Sequence, residues 1–138
     1  MESFLLSAEE RWDPKKHVEH ILGEVGGGDY TIACWEPGQI SPHHVHPDCT
    51  EIYLCISGRG KMNIPQRSID IVPGAFCVHP PGELHEFVNG DGRSILFRVR
   101  YGGPATTRIK EWRGNRDWTA TKEDIDYFNR FPFGDPLR

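Results

Sequence analysis

The sequence has no surplus of positive charge and no long apolar run. Sixteen lysines and arginines stand against 20 aspartates and glutamates, which gives a formal net charge of −4 at pH 7. This charge balance does not favour the basic surface that binds nucleic acid. No stretch approaches the roughly 18–20 apolar residues of a membrane helix. Residues 1–11 lack the basic and hydrophobic regions of a secretory signal. We therefore expect a cytoplasmic protein that binds neither nucleic acid nor membranes.

The sequence also has no C-x-x-C pair, internal repeat or low-complexity segment. Its cysteines are spaced too widely for a zinc ribbon or a thioredoxin motif; they are Cys34, Cys49, Cys55 and Cys77. In a cytoplasmic protein such cysteines are reduced thiols. We expect most of them to be buried as small apolar side chains.

What the sequence does contain is many turn residues between short β-rich runs. Glycine contributes 15 and proline 11 of the 138 residues, without the every-third-residue period of collagen. The predicted strands recur at a spacing of roughly 8–10 residues, which is typical of a sandwich or barrel. They cover residues 17–22, 30–35, 40–46, 51–56, 61–64, 68–72, 75–79, 85–88 and 94–101. No helix-length crossover interrupts them, which excludes a parallel α/β sheet.

The flanking segments differ from this β-rich part. Residues 1–16 are predicted to form a short helix, because Ser7 and Glu10 make a capping-box pattern and Pro14 stops the helix. After residue 102 the chain is polar, and Thr121 is the predicted N-cap of a helix over residues 122–129. A chain of 138 residues is the usual size of one domain, so we predict a single domain over residues 1–138.

The histidines are densest around residue 44. Residues two apart in a strand share a face, so His44 and His46 point the same way. Glu51 follows five residues later, far enough to return on a neighbouring strand opposite the two imidazoles. A turn of two prolines and a glycine would aim His85 at the same place. Such a set suits one divalent transition metal ion (Fe, Mn, Co, Ni, Cu or Zn) and leaves coordination positions open for water or substrate.

These residues fall in a pattern that resembles the two sequence motifs of the cupin superfamily. The first motif is a glycine, H-x-H, a glutamate and a second glycine, which are Gly38, His44, His46, Glu51 and Gly58. The second is a glycine, P-x-G, a histidine and an asparagine, which are Gly74, Pro80, Gly82, His85 and Asn89. No anchor position departs from either pattern, so the resemblance is specific for the fold.

The resemblance implies an all-β fold, namely an antiparallel jelly-roll β-barrel with its core over about residues 17–101. A short N-terminal arm would precede this core, and a helical or irregular C-terminal extension would follow over residues 102–138. The resemblance also implies that His44, His46, Glu51 and His85 bind one metal ion. Dimers are common among cupins, often with an exchanged N-terminal strand, so we expect a homodimer.

Residues near the motifs are candidates for contact with a substrate. Tyr53 shares a strand face with Glu51 and is a candidate catalytic acid, base or orienting group. His79 is a candidate lining residue. Arg98 and Arg100 are predicted to face solvent or a partner subunit, because the apolar residues that alternate with them should face the core. Alternatively they bind a substrate carboxylate or phosphate; if they turn inward, the pocket is built for an anion.

The resemblance leaves the reaction open, since cupins include dioxygenases, isomerases, lyases, decarboxylases, sugar-binding regulators and storage proteins. We predict a metal-dependent enzyme that acts on a small polar organic molecule, in the first place a non-haem dioxygenase-type oxidoreductase. The alternatives are a metal-dependent isomerase, lyase or decarboxylase acting on a sugar or organic acid, and a non-catalytic small-molecule-binding protein. A storage protein is disfavoured because the candidate ligand set is complete.

Overall fold

The protein is mostly β-structure with a helix near its C-terminus. The structure is a computed structural model, and it describes residues 1–136. The strands are β1 (Val18–Val25), β2 (Gly28–Trp35), β3 (His43–Val45), β4 (Thr50–Ser57), β5 (Gly60–Ile64), β6 (Arg67–Ile71), β7 (Phe76–His79), β8 (Glu86–Asn89), β9 (Ser94–Tyr101) and β10 (Arg108–Glu111). The helix α1 covers Lys122–Arg130. None of the helices in residues 1–136 has the length and apolar character that crossing a membrane requires.

The strands pair in three antiparallel sheets. A five-stranded sheet has the order β1-β2-β9-β4-β7, a three-stranded sheet has the order β6-β5-β8, and β10 pairs with β3. Within the described residues these sheets are not closed into one barrel, which corrects the expected closed jelly roll. Strands β3 and β7 are short. Pro42 and Pro47 flank β3 and Pro80 follows β7, and because proline lacks a backbone N–H it cannot continue the pairing of a strand.

The interior between the sheets is partly apolar and partly charged. At the apolar end, Trp35 packs edge-on against Phe87 with ring centroids 4.7 Å apart, and neither side chain reaches solvent. At the other end, Arg98 and Arg100 of β9 are buried.

The expected facing of β9 is therefore wrong. Leu96 and the two arginines point inward, and the outward residues are Ile95, Phe97, Val99 and Tyr101. Buried arginines are stable only with acidic partners, and the partners lie on other strands. Asp29 of β2 accepts two hydrogen bonds from Arg100, at 2.9 and 2.5 Å.

The N-terminal segment forms less helix than the sequence indicates. Only Leu6–Ala8 forms a single 3-10 turn, Leu5 occupies the N-cap position, and its side chain makes no capping hydrogen bond. The predicted Ser7–Glu10 capping box is therefore wrong. The segment instead lies along the five-stranded sheet, where Phe4 packs edge-on against Tyr30 at 6.0 Å. Contact with the sheet replaces helix formation.

The C-terminal helix is confirmed to within one residue. Thr121 caps it, and Thr121 and Asp124 form a reciprocal capping box. The helix packs beside β10, since Asp124 accepts a hydrogen bond from the backbone N–H of Ile109 at 2.9 Å. Strand β10 itself was not predicted, because its polar sequence lacks strand alternation. It pairs with β3 and so covers the histidine-rich segment.

Candidate metal centre

Three histidines and one glutamate meet in the interior. Their possible ligand atoms all lie within 4.8 Å of one another, and all four residues are buried. We call these residues the ligand cluster: His44, His46, Glu51 and His85. The fold thus brings together the four side chains that the sequence pattern selects.

Local backbone pairing brings the cluster together. His44 lies in β3 and exchanges two backbone hydrogen bonds of 3.0 Å with His85. His46 follows β3 directly, and its carbonyl accepts a hydrogen bond from Gly82 N–H at 2.9 Å. Gly82 has φ +84°, a left-handed conformation that favours glycine. The turn before His85 is thereby tied to the segment that carries His46.

A backbone carbonyl orients each of the three imidazoles. The Nδ1 atom of His44 lies 2.7 Å from the carbonyl oxygen of Pro42, and that of His85 lies 2.9 Å from the carbonyl oxygen of Glu83. The Nδ1 of His46 lies 3.2 Å from the carbonyl oxygen of Thr106 and 3.2 Å from Oγ1 of Thr107, a hydroxyl that itself donates to the carbonyl oxygen of Ala105. A carbonyl only accepts hydrogen bonds, so each Nδ1 carries the proton and each Nε2 is left with a free lone pair.

The free lone pairs face a carboxylate, which is the arrangement a cation would satisfy. The Nε2 of His85 is 2.7 Å from Oε1 of Glu51, and the Nε2 of His46 is 2.9 Å from Oε2. The His46 Nε2 and the Glu51 Oε2 are buried and make no hydrogen bond within residues 1–136. Two acceptors this close repel each other unless a proton or a metal ion lies between them. Imidazole and carboxylate together suit a divalent transition metal, so the cluster fits such an ion.

Burial and the charges of neighbouring side chains shift the pKa values of His44 and Glu51 in the cluster. Burial lowers the pKa of His44 well below its ordinary value, and the neighbouring imidazoles of His85 and His46 lower it further. Burial alone would raise the pKa of Glu51, but His46 and His85, when each directs a proton at the carboxylate, outweigh burial and hold that pKa well below its usual range; a cation between these groups would take the place of the protons. His44 is therefore neutral and Glu51 ionised at neutral pH, as metal binding requires.

His79 packs directly behind the cluster. Its ring stacks on that of His85, with centroids 3.9 Å apart and planes 8° apart. Its Nδ1 is 2.7 Å from Oε1 of Glu83. Burial, followed by the nearby imidazole of His85, lowers the pKa of His79. The stack fixes the plane of a candidate ligand.

The remaining sequence candidates lie on the strand that carries Glu51 and on the neighbouring β9, and the ring of Tyr53 packs edge-on against that of His79 with centroids 6.2 Å apart. Tyr53 is buried in the apolar core, and burial, with the Glu51 charge adding to it, raises its pKa far above the ordinary value. Arg98 lies close to the cluster, with its Nε 3.9 Å from Oε2 of Glu51. Arg100 is further along β9 and is paired with Asp29. Both arginines therefore face inward. This is the orientation for which we expect a pocket that binds an anion.

A cavity of about 540 Å³ opens next to the ligand cluster. We call it the entrance cavity; its wall includes Lys16, His17, Glu19, His44, Ile109 and Trp112. Because His44 belongs to both, a molecule in this cavity reaches the cluster. The cavity is large enough for a small organic molecule.

Sequence reasoning missed two residues in this wall. His17 is buried, stacks on Trp35 with ring centroids 4.0 Å apart, and its Nε2 lies 3.1 Å from Oε1 of Glu19. The available signal was the spacing of two between His17 and Glu19, which places both on one face of an extended segment. On that face His17 is buried, whereas the side chain of Glu19 is 37% exposed and lines the entrance cavity.

The comparisons with known proteins agree with this architecture. A family model described as a cupin domain matches residues 31–97, which contain the whole ligand cluster. No curated protein matches the chain. Among solved structures, a protein with a double-stranded β-helix domain from Klebsiella pneumoniae is 21% identical with a TM-score of 0.73. The alignment covers 80% of this chain and 98% of that one.

Two further similar structures are enzymes. A sugar phosphate isomerase of the cupin superfamily from Silicibacter pomeroyi is 23% identical with a TM-score of 0.61, over 69% of this chain and 66% of that one. An oxalate oxidase in complex with the substrate analogue glycolate is 19% identical with a TM-score of 0.59, over 71% of this chain and 57% of that one. At these identities the likeness shows the fold alone.

Proposed function

We propose that this chain is a metal-dependent enzyme of the cupin superfamily acting on a small polar organic molecule; a cupin-domain family model matches residues 31–97. The observation that carries the proposal is the ligand cluster, in which free imidazole lone pairs face a buried carboxylate. A divalent transition metal held by His44, His46, Glu51 and His85 would supply Lewis acidity or, if redox-active, electron transfer.

The entrance cavity supports binding of the substrate beside the cluster. Trp112 offers an apolar wall, fixed by a hydrogen bond from its Nε1 to the carbonyl oxygen of Ile40 at 2.9 Å. Lys16 offers a positive charge at the rim, where its Nζ lies 5.9 Å from the Trp112 ring centroid. A molecule with a planar or apolar part and a polar or anionic group suits these surroundings.

For the reaction we propose first a non-haem dioxygenase-type oxidation. The alternatives are a metal-dependent isomerase, lyase or decarboxylase acting on a sugar or organic acid, and binding of a small molecule without turnover. Structures similar to this chain include both an oxalate oxidase and a sugar phosphate isomerase, so relatives of this fold support either class. The identity of the bound metal discriminates between oxygen chemistry and Lewis-acid chemistry.

Tyr53, His79 and the two buried arginines remain our candidates for contact with the substrate. Tyr53 is proposed to orient the substrate. Arg98 is the stronger of the two arginine candidates for an anionic group, because the bidentate pair with Asp29 already engages Arg100. His79 is proposed to hold the ring plane of His85, on which its own ring stacks.

We also propose a cytoplasmic homodimer. The four cysteines are free thiols, as is usual in a reducing compartment. The outward side of the five-stranded sheet carries an apolar surface that a second copy of the chain would cover. We call it the outer apolar face: Ile52, Leu54, Phe76, Val78, Phe97 and Val99.

The proposed function is tested by the metal content of the purified protein. We expect about one transition metal ion per chain by elemental analysis after anaerobic purification, because the cluster offers four ligands to one ion. The double variant His44→Ala/His46→Ala should lose the metal and remain folded. The matched control is His20→Ala/His43→Ala, which removes two histidines outside the ligand cluster and should keep the metal.

Two outcomes decide the details. Iron or copper together with oxygen uptake in a panel of small organic acids and sugars supports the dioxygenase; zinc without oxygen uptake supports the isomerase or lyase class. A protein that holds no metal even after reconstitution would show that the proposed enzyme is wrong.

A further inference from the structure

The guanidinium of Arg98 sits between two carboxylates that differ in their surroundings. Its Nη1 lies 2.8 Å from Oε1 of Glu19, which is in the wall of the entrance cavity. Its Nε lies 3.9 Å from Oε2 of Glu51, which is in the ligand cluster. Arg98 and Glu51 are each 1% exposed, so their interaction is little screened by water, whereas the Glu19 side chain is 37% exposed to water and its pair with Arg98 borders the entrance cavity. One buried cation thus connects the cavity to the cluster.

The atoms that Arg98 and Glu51 turn toward each other are both unpartnered. Neither Nε of Arg98 nor Oε2 of Glu51 makes a hydrogen bond in the part of the chain that the structure describes. A donor and an acceptor of opposite charge therefore stop about 1 Å short of hydrogen-bond distance. Something holds the guanidinium back from the carboxylate it would otherwise bind.

Glu19 provides the shortest ion pair of Arg98. Nη2 lies 3.3 Å from Oγ1 of Thr31 and 4.0 Å from Oδ1 of Asp29, and the side chain of Tyr53 also forms a hydrogen bond with the guanidinium. Burial acts to raise the pKa of Glu19, but Arg98 and His17 outweigh burial and lower it. Glu19 is therefore a charged partner at neutral pH.

Asp29 is a weaker partner for Arg98, because its oxygens already accept hydrogen bonds from Arg100 and Oδ1 lies 4.0 Å from Nη2 of Arg98. A buried guanidinium without a carboxylate partner is unstable. If Glu19 lost its charge, the remaining carboxylate with an unpartnered oxygen near Arg98 would be Glu51.

We propose that Glu19 is a positioning residue of the metal centre, which holds Arg98 away from Glu51 and so keeps Oε2 of Glu51 free to bind the cation. The inference rests on the proposed metal-binding function. It assigns a role to a residue outside both sequence motifs, and it makes metal affinity depend on the wall of the entrance cavity.

The test is the affinity of the full chain for Zn²⁺ alone, measured by competition with a chelator. We expect Glu19→Gln to bind Zn²⁺ about 10–100-fold more weakly, the range typical of residues that support metal ligands. The matched control is Glu24→Gln, an exposed position on the same strand, which removes the same charge and should bind Zn²⁺ as the wild type does. Glu19→Asp keeps the charge but is one methylene shorter, so its hold on Arg98 and its affinity should also fall.

Unchanged affinity in Glu19→Gln would overturn the proposal. Normal affinity in Glu19→Asp would assign the effect to charge alone and would also overturn it. A readout that needs no metal is the crystal structure of metal-free Glu19→Gln, in which Arg98 should move into hydrogen-bond distance of Oε2 of Glu51. If Arg98 stays in place, the restraint is wrong whether or not the protein binds metal; if only wild-type metal binding fails, the proposed function is wrong instead.

Discussion

At the scale of single residues, the ligand cluster is positioned by its supports as much as by its members. Each imidazole has its Nδ1 directed at a backbone carbonyl, which leaves Nε2 as the only ring nitrogen able to bind a cation. Supports of this kind fix the tautomer and plane of a metal-binding histidine before the metal arrives. His79 adds a second support, since it fixes the plane of His85 by stacking.

Substitution of His79 separates this supporting role from contact with a substrate. His79→Phe keeps an aromatic ring against His85, so we expect metal affinity within about threefold of the wild type, while His79→Ala opens a cavity and should weaken binding about tenfold. Zn²⁺ competition titrations of both variants measure the difference. Equal affinities for Ala and Phe would show that the stack does not position His85.

The residue scale also shows where reasoning from the sequence succeeds and fails. Strand parity and turn residues identified the ligand cluster, because the side chains of His44 and His46 are set by local geometry. The same parity was applied wrongly to Arg98 and Arg100. Their partners, Glu19 and Asp29, lie 79 and 71 residues away in the chain, and no local pattern reveals that a charged face is the interior one.

At the scale of elements, the C-terminal extension is structurally tied to the ligand cluster. Strand β10 pairs with β3, and Ile109 lies opposite His44 in the register. Helix α1 holds β10 through Asp124, which is 5% exposed and bonds both the backbone of Ile109 and that of Thr121. The sequence predicted the helix from its capping residues but not its contact with β10, because that contact depends on tertiary packing.

Asp124→Ala should therefore destabilise both helix α1 and its contact with β10. It removes a reciprocal cap, typically worth about 1 kcal/mol, and leaves the partly buried N–H of Ile109 without its acceptor, which costs about 1–3 kcal/mol. We expect a loss of about 2–4 kcal/mol in the free energy of unfolding from urea titration.

Asp126→Ala is the matched control for this experiment. Asp126 lies on the same helix and loses only an exposed pair with Lys122, so its stability should change by less than about 0.5 kcal/mol. If the two variants were equally stable, α1 would not hold β10 against the metal centre.

At the scale of the whole molecule, the five-stranded sheet divides two environments. Its inner side carries the charged residues and the ligand cluster, while its outer side carries the outer apolar face. Phe76 and Val78 are 62% and 52% exposed, and the register places them beside Leu54 and Ile52 of β4. A contiguous exposed apolar surface of this kind is typical of a site that contacts another molecule.

A charge placed on the outer apolar face should weaken the proposed homodimer. Phe76→Lys puts an ammonium group where a second copy would bury an aromatic ring, and we expect the dimer dissociation constant to rise at least about tenfold, or about 1.4 kcal/mol. Light scattering after size exclusion, across a dilution series, measures the change.

Gln66→Lys adds the same charge in an exposed turn between β5 and β6 and should leave the dimer intact. A wild-type protein that is monomeric at all concentrations would refute the dimer; a dimer unaffected by Phe76→Lys would place its interface elsewhere, because a buried unpaired ammonium cannot be accommodated without loss of affinity.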